Sequence, residues 1–444
     1  MRAVLRSRSY LIGVLLAGSV GIPVSAIAYG FLAVVTELQR LIFADLPRSL
    51  FGQTPAWWPV PWLLLSGLLT GLTISRLPGN GGHSPALGFQ AGGAPEPREL
   101  VSVALAALTS LSLGAVLGPE APLIALGGGL GLLTIRSVAR RRTLAPSAGA
   151  MLAGAGSFAA ISTLLGSPLI GAVLILEAAP IGGAALVLAT LPGLLAAGIG
   201  NLLFVGLGSW TGLGALGIAL PPLPAIGSPT LPMLLWGAVF GAVAAVLAWA
   251  IRSGALSLRP LVHRSRVLVT GALGLAIGVV VMVFSLLSHT DPVEVLFSGQ
   301  EALPGLISHL DEVTLGAGLL LVAAKGLAYT LSLSAFRGGP IFPAMYIGAV
   351  LGILSGQLPG LSVAAGIAMG IGAMSAAMLG LPITSVLLAT LLLGRVGLEA
   401  MPAVIVAVVV SFLVSARLPA PGRTAPHRAP APGSGAPGSV APPR

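Results

Sequence analysis

The 444-residue chain contains no cysteine, which excludes disulfides, thiolate metal centres and cysteine nucleophiles. Charge is nearly as scarce: 8% of residues are Asp, Glu, Lys or Arg, against roughly 25% in soluble proteins, while 56% are hydrophobic. Lysine occurs once, as Lys325, beside 21 arginines. The five histidines are His83, His263, His289, His309 and His427. None sits inside an apolar run beside a serine motif, and no HExxH is present, so neither a nucleophile–base pair nor a zinc-protease helix is offered. These scarcities describe a polytopic membrane protein, expected to be neither an enzyme nor a carrier of a metal or cofactor.

What the chain has in abundance is apolar sequence interrupted by glycine and proline. A spanning helix needs about 20 apolar residues. Candidate spans lie near 11–35, 59–77, 100–117, 121–135, 147–165, 168–178, 183–207, 231–251, 267–288, 314–334, 341–358, 361–379, 382–394 and 399–416. Several are too short to cross alone, which is tolerated where neighbouring helices shield them from lipid. The 62 glycines suit close helix packing in a bilayer. The net charge of +10 does not predict a nucleic-acid partner, because the arginines fall in loops between spans. Arg2, Arg6 and Arg8, Arg136 and Arg140–Arg142, Arg252 to Arg266, and Arg417, Arg423 and Arg428 mark a cytoplasmic face. This places both termini in the cytoplasm and the chain in the cell membrane, with the acidic connection carrying Asp291, Glu294, Glu301, Asp311 and Glu312 outside. The segment from Met1 to Ala26 imitates a secretory signal, but apolar character runs on to Val35 and favours a retained span.

Two stretches half a chain apart read almost alike. LeuLeuGlySerProLeuIleGly (164–171) is echoed by MetLeuGlyLeuProIleThrSer (378–385), so Gly166 and Pro168 recur as Gly380 and Pro382, an offset of 214 (380 less 166). GlyProGluAlaPro (118–122) is echoed by GlyProIlePhePro (339–343), at an offset of 221 (339 less 118). Matched interruptions in two halves mark transporters whose broken helices meet at the bilayer midplane to form a site. The expected organisation is a cytoplasmic N-terminus (1–10), a first membrane repeat (11–225) and a second (226–418). A disordered Pro/Ala-rich cytoplasmic tail (419–444) follows.

An ionisable group inside an apolar span is a functional hypothesis by default. Glu120, Glu177 and Lys325 qualify, with Glu399 nearer a span edge. Glu120 is flanked by Pro119 and Pro122, which suit the first turn of a helix, where a missing N–H costs nothing. A carboxylate there lies at a positive helix end that otherwise attracts an anion. It also fits a simple capping acid at a membrane boundary, and the residues alone leave both readings open. GlyGlyProIlePhePro (338–343) predicts a second helix start, or a membrane turn. LeuProGlyAsnGlyGlyHisSerPro (77–85) is either a loop or a tight backbone segment presenting the Asn80 amide.

Taken together these segments resemble the CLC chloride channel and transporter family. Its motifs GSGIP and GREGP, and GxFxP preceded by K…T…TLGSG, are matched in order. The matching residues are GlyAsnGlyGlyHis (79–83), GlyProGluAlaPro (118–122), and Lys325, Thr330 and Ser332 before GlyProIlePhePro (339–343). GlySerProLeuIleGlyAlaValLeuIleLeuGlu (166–177) looks like the family's NAPLAGxLFxxEE, and the resemblance covers roughly 11–416. It implies an all-α inverted repeat of about 18 tilted, partly broken helices, usually a homodimer, with chloride or a similar small anion as the transported ligand. It implies Glu120 as the gate and Asn80 in place of an anion-coordinating serine. Backbone N–H groups at Ile341 and Phe342 cap the anion, with Gly81, Gly118 and Ala121 completing the binding set.

The departures are as informative. The GREGP arginine is Pro119, and the GxFxP aromatic is Ile341, with Phe342 one place later. Glu177 matches the first acid of the EE pair, but the proton-path position is Ala178. The family's pore tyrosine, near the last helix, has no counterpart among Tyr10, Tyr29, Tyr329 and Tyr346. These losses favour passive conduction of chloride over proton exchange, with Glu177 one residue away as a possible proton path. Nitrate and fluoride are secondary candidates; the retained GlyProIlePhePro argues against fluoride.

Overall fold

The computed structural model describes residues 2–90, 94–139, 147–179, 183–211, 220–310 and 313–421. The expected loop arginines Arg140–Arg142, Arg423 and Arg428, the acids Asp311 and Glu312, His427, and the tail beyond Pro421 lie outside the described residues. Among the described residues seventeen α-helices account for nearly all the regular structure. The first nine are α1 Arg2–Leu5, α2 Arg8–Arg40, α3 Leu46–Phe51, α4 Pro59–Arg76, α5 Leu100–Ser112, α6 Glu120–Ala139, α7 Ser147–Leu165, α8 Pro168–Ala178 and α9 Gly183–Thr211. After a non-helical stretch come α10 Leu231–Arg264, α11 Arg266–Ser288, α12 Ala302–Ser308, α13 Leu315–Ala335, α14 Ile341–Leu354, α15 Val363–Leu379, α16 Pro382–Leu392 and α17 Gly394–Arg417.

Among the described residues six helical stretches are long and apolar enough to cross a membrane unaided, and six more are apolar but only 10–17 residues long. The short ones lie in α6, α7 and α8 and in α14, α15 and α16, three from each half of the chain. The expected first span at 11–35 is longer than its apolar pattern: α2 runs from Arg8 to Arg40 and continues through a π-turn at Leu41–Asp45 into α3. Hydropathy stops at the polar Thr36–Arg40, but backbone hydrogen bonding does not.

The repeat is visible in the packing as well as in the motifs. Gly127 of α6 lies against the Gly156 carbonyl of α7, and Gly131 against that of Leu152, so close that neither has room for a Cβ. In the second half Gly348 of α14 lies in the same way on Gly370 of α15, and Gly352 on Gly366. Gly348 and Gly352 follow Gly127 and Gly131 at an offset of 221 (348 less 127), and Gly370 and Gly366 follow Gly156 and Leu152 at 214 (370 less 156). These are the two motif offsets, so the crossing is reproduced in register. The second half is therefore the tighter by seven (221 less 214), and most of that is the length of α14, 14 residues where α6 has 20. Where lipid tails supply no hydrophobic drive, such backbone approach is what holds helices together. Both second interruptions also have one geometry: Gly166 and Gly380 adopt left-handed φ of 64° and 71°, and proline opens the next helix. The connection between halves is tied down by Glu399 of α17, whose Oε2 accepts from the N–H groups of Ile226 (2.8 Å) and Gly227 (3.4 Å).

The single lysine is a structural clamp. Lys325 of α13 is fully buried, and its Nζ donates to the carbonyls of Glu294 (2.9 Å), Val295 (3.2 Å) and Leu296 (3.2 Å). It sits 4.1 Å from the Tyr346 ring centroid, and the Tyr346 hydroxyl donates to Glu294 Oε2 at 2.6 Å. The cation-π contact and three carbonyl dipoles replace its hydration shell. We expect Lys325→Met to destabilise the protein by about 3 kcal/mol or more, because three carbonyls lose their donor at about 1–3 kcal/mol each. A thermal midpoint equal to the parent's in detergent would show that the clamp contributes nothing.

Candidate functional site

The two GlyPro interruptions meet in the protein interior. Gly118 and Gly339 pair as an isolated antiparallel bridge, with Gly118 N–H donating to Gly339 O at 2.8 Å and Gly339 N–H to Gly118 O at 2.6 Å. The flanking backbone is held by hydroxyls: Val116 N–H donates to Ser332 Oγ (3.0 Å) and Arg337 N–H to Ser110 Oγ (3.1 Å). The bridge fixes where α6 and α14 begin, and both N-termini open into one small space. Tyr329 reaches it from α13, its hydroxyl donating to Pro340 O at 2.8 Å.

Glu120 occupies that space. It is the first residue of α6 and fully buried; its Oε1 accepts the Phe342 N–H, in the first turn of α14, at 2.8 Å. Among the described residues its Oε2 has no hydrogen-bond partner. The Cα atoms of Gly118 and Gly339 pack so tightly on the carboxylate that a Cβ at either position would collide with it. The site therefore consists of a carboxylate at a positive helix end, with one oxygen bonded and the other without a partner among the described residues. The structure brings Glu120, Gly118, Ala121, Ile341 and Phe342 together: a Cβ on Gly339 would lie 3.1 Å from the Ala121 nitrogen.

Cavities approach the carboxylate from two sides. One of about 230 Å³ reaches Leu117 and Pro119 and is lined further out by Arg40, Gln300 and Glu301. Another, of about 100 Å³, is lined by Gly81, His83, Ala121, Pro122, Arg337 and Gly338. Glu120 stands between them, belonging to neither lining.

Asn80 is placed differently from the expectation. It is exposed, lies at φ 50°, and lines a separate cavity of about 150 Å³ with Arg259, Arg266 and Arg337. Its side-chain Oδ1 accepts from Arg266 Nη1 at 3.0 Å, and its backbone carbonyl accepts from Arg337 Nε and Nη2, both at 3.2 Å. Of the amide, only the Nδ2 donors remain for an anion. The left-handed run from Gly79 to Gly82 turns Asn80 toward these arginines, while the Gly81 N–H donates to Ser102 Oγ at 2.8 Å.

Glu177 is a helix cap. From the end of α8 its Oε1 accepts the Ile383 N–H (2.9 Å), and its Oε2 accepts the Thr384 N–H and hydroxyl (both 2.7 Å). These donors are the free groups at the start of α16, whose dipole favours a negative charge there. The residue missed in the sequence is Arg337. It sits between the cavity beside Ala121 and the one beside Asn80. A lone cation directly before GlyGlyPro in an otherwise apolar stretch was the available signal. Among the described residues no group of three His, Asp or Glu side chains is placed to hold a metal.

Comparison with known proteins agrees with this architecture. The family described as voltage gated chloride channel matches residues 66–416. The protein named "Putative ion-transport protein YfeO" of Escherichia coli is 27% identical over 361 residues, covering 79% of this chain and 80% of the relative. Its namesake in Escherichia fergusonii matches to the same extent. A slow cyanobacterial Cl-/H+ antiporter superposes with a TM-score of 0.72 at 19% identity, over 93% of this chain and 95% of the other. A CLC-type fluoride/proton antiporter does so at 0.66 and 19%, over 91% and 95%. With a family match across most of its length and the broken-helix junction in place, this chain belongs to the voltage gated chloride channel (CLC) family of anion-transporting membrane proteins.

Proposed function

We propose that the protein conducts chloride passively across the cell membrane, through a pathway that Glu120 opens and closes. The observation that carries this reading is the buried Glu120 carboxylate on the Phe342 N–H, at the helix end where an anion would otherwise sit. Protonation or a swing of the side chain frees that N–H. A chloride ion then exchanges one negative charge for another at the same dipole. Passive conduction is supported by Glu177, whose oxygens are engaged by three donors of α16, and by Ala178, which cannot carry a proton. The arginine-rich end of the molecule is the cytoplasmic one on the positive-inside rule, with both termini there. A homodimer fits the exposed apolar side chains of Leu169, Leu202 and Ile383 on the adjacent helices α8, α9 and α16. The alternative is chloride/proton exchange, which is the activity of the cyanobacterial structural neighbour; the other neighbour exchanges fluoride for protons.

The test is reconstitution in liposomes under a chloride gradient, with chloride efflux and external pH recorded together. Chloride flux without uphill proton movement is expected; coupled uphill movement at fixed stoichiometry selects the exchanger. In that assay Glu177→Gln should leave proton coupling absent and cost about 1–2 kcal/mol of stability, as loss of a helix cap does. If the parent exchanges protons and Glu177→Gln abolishes the exchange, Glu177 is a proton carrier and the passive reading fails.

A further inference from the structure

The cavity beside Asn80 is more strongly cationic than a chloride path requires. Arg259 near the end of α10, Arg266 at the start of α11 and Arg337 before α14 line it, and His263 stands one turn beyond Arg259 on the same helix face. No Asp or Glu is among its lining residues. Glu99 packs on Gly79, next to Asn80 in the chain, but is not part of the lining, and its Oε2 accepts the Glu96 N–H at 3.0 Å. Arg266 uses one N–H on Asn80, and Arg337 is largely committed to the carbonyls of Asn80 and Phe336. Arg259 makes no hydrogen bond or ion pair among the described residues. Three guanidinium groups thus converge on about 150 Å³ of space with most donors of two of them free.

We propose that this cavity binds a phosphate-type oxyanion, and that its occupancy obstructs the approach to Glu120 from the arginine-rich end. Guanidinium donors form rigid forks that match two oxygens of one tetrahedral oxyanion with two parallel N–H···O bonds, a two-point match that a single spherical halide does not offer. Unbalanced like charge at this density favours a dianion over a monoanion. Arg337 borders this cavity and also the one that reaches Ala121, so an occupant here stands across the way to the gate. Free phosphate and a phosphomonoester lipid headgroup share this chemistry. Binding stands on the geometry alone; the obstruction rests on the anion pathway proposed above.

The full chain, purified in a neutral detergent, is titrated with sodium phosphate at pH 7.5 and constant ionic strength by calorimetry. Saturable binding is expected, with at least a tenfold loss in Arg259→Gln and in Arg266→Gln, the size of one charge-assisted hydrogen bond. Arg259→Lys should recover part of the affinity. Chloride efflux is then read in vesicles of phosphatidylcholine alone and with one-tenth phosphatidic acid. Slowing by added phosphate in the pure vesicles identifies a free anion as the occupant. Slowing by phosphatidic acid, relieved in Arg259→Gln, identifies a headgroup. No phosphate binding by the parent, or binding that Arg259→Gln leaves intact, overturns the site. Intact binding with no effect on a measurable chloride flux overturns the obstruction. Absence of any chloride flux would count against the transport reading and leaves the calorimetric result standing.

Discussion

Replacing Glu120 with glutamine is expected to abolish the pH dependence of anion flux and to raise the flux at neutral pH. The amide is isosteric but carries no charge, so it behaves as a permanently protonated gate at every pH. The closed state loses its charge-assisted bond from the Phe342 N–H, and a carboxylate no longer competes for the positive end of α14. Exchanging a charged for a neutral acceptor at about 1–1.5 kcal/mol shifts the closed-to-open balance roughly tenfold. Because the parent carboxylate is neutralised by acid, its flux should rise as pH falls, and the variant should already show the acidic behaviour. Liposome efflux measured between pH 5 and pH 8 decides the matter. A variant whose flux still varies with pH as the parent's does would remove Glu120 from the gating role.

Gly339→Ala should open the same gate without touching the acid. A Cβ at residue 339 collides with Glu120 Oε2 and lies 3.1 Å from the Ala121 nitrogen, and both glycines of the bridge are backbone-bonded and cannot retreat. The carboxylate is the mobile partner, so it is the group displaced. Losing its bond to the Phe342 N–H at about 1.5–3 kcal/mol shifts the equilibrium toward the open state by roughly 10- to 150-fold. The discriminating control is the double variant with Glu120→Ala, in which no carboxylate remains to be expelled. There Gly339→Ala should add nothing to flux, since the two substitutions act on one contact. An equal increment in both backgrounds would mean that the methyl acts on the backbone and not on the gate.

Much of the architecture is decided by sequence alone. Scarcity of charge and abundance of apolar runs dictate a membrane protein, because each backbone group in lipid must be satisfied within helices. The GlyPro pairs at 118 and 339 and the interruptions at 166 and 380 mark where helices break, since proline cannot continue a helix and glycine alone takes the left-handed φ at Gly166 and Gly380 without strain. Their offsets of 221 and 214 already encode the repeat that the glycine crossings reproduce. Glu120 stood out because an acid between two prolines has a local signature. Three things were decided only by tertiary structure. Glu177 caps α16 from the other half of the chain, Lys325 binds carbonyls of a loop, and Asn80 turns toward Arg266 and Arg337. In each case the partner is a backbone group, or a side chain distant in sequence. Backbone donors and acceptors are the same at every residue, so no pattern of residue types reveals which will be left free. That is settled when the two repeats dock and leave each broken helix end facing whatever group can complete it.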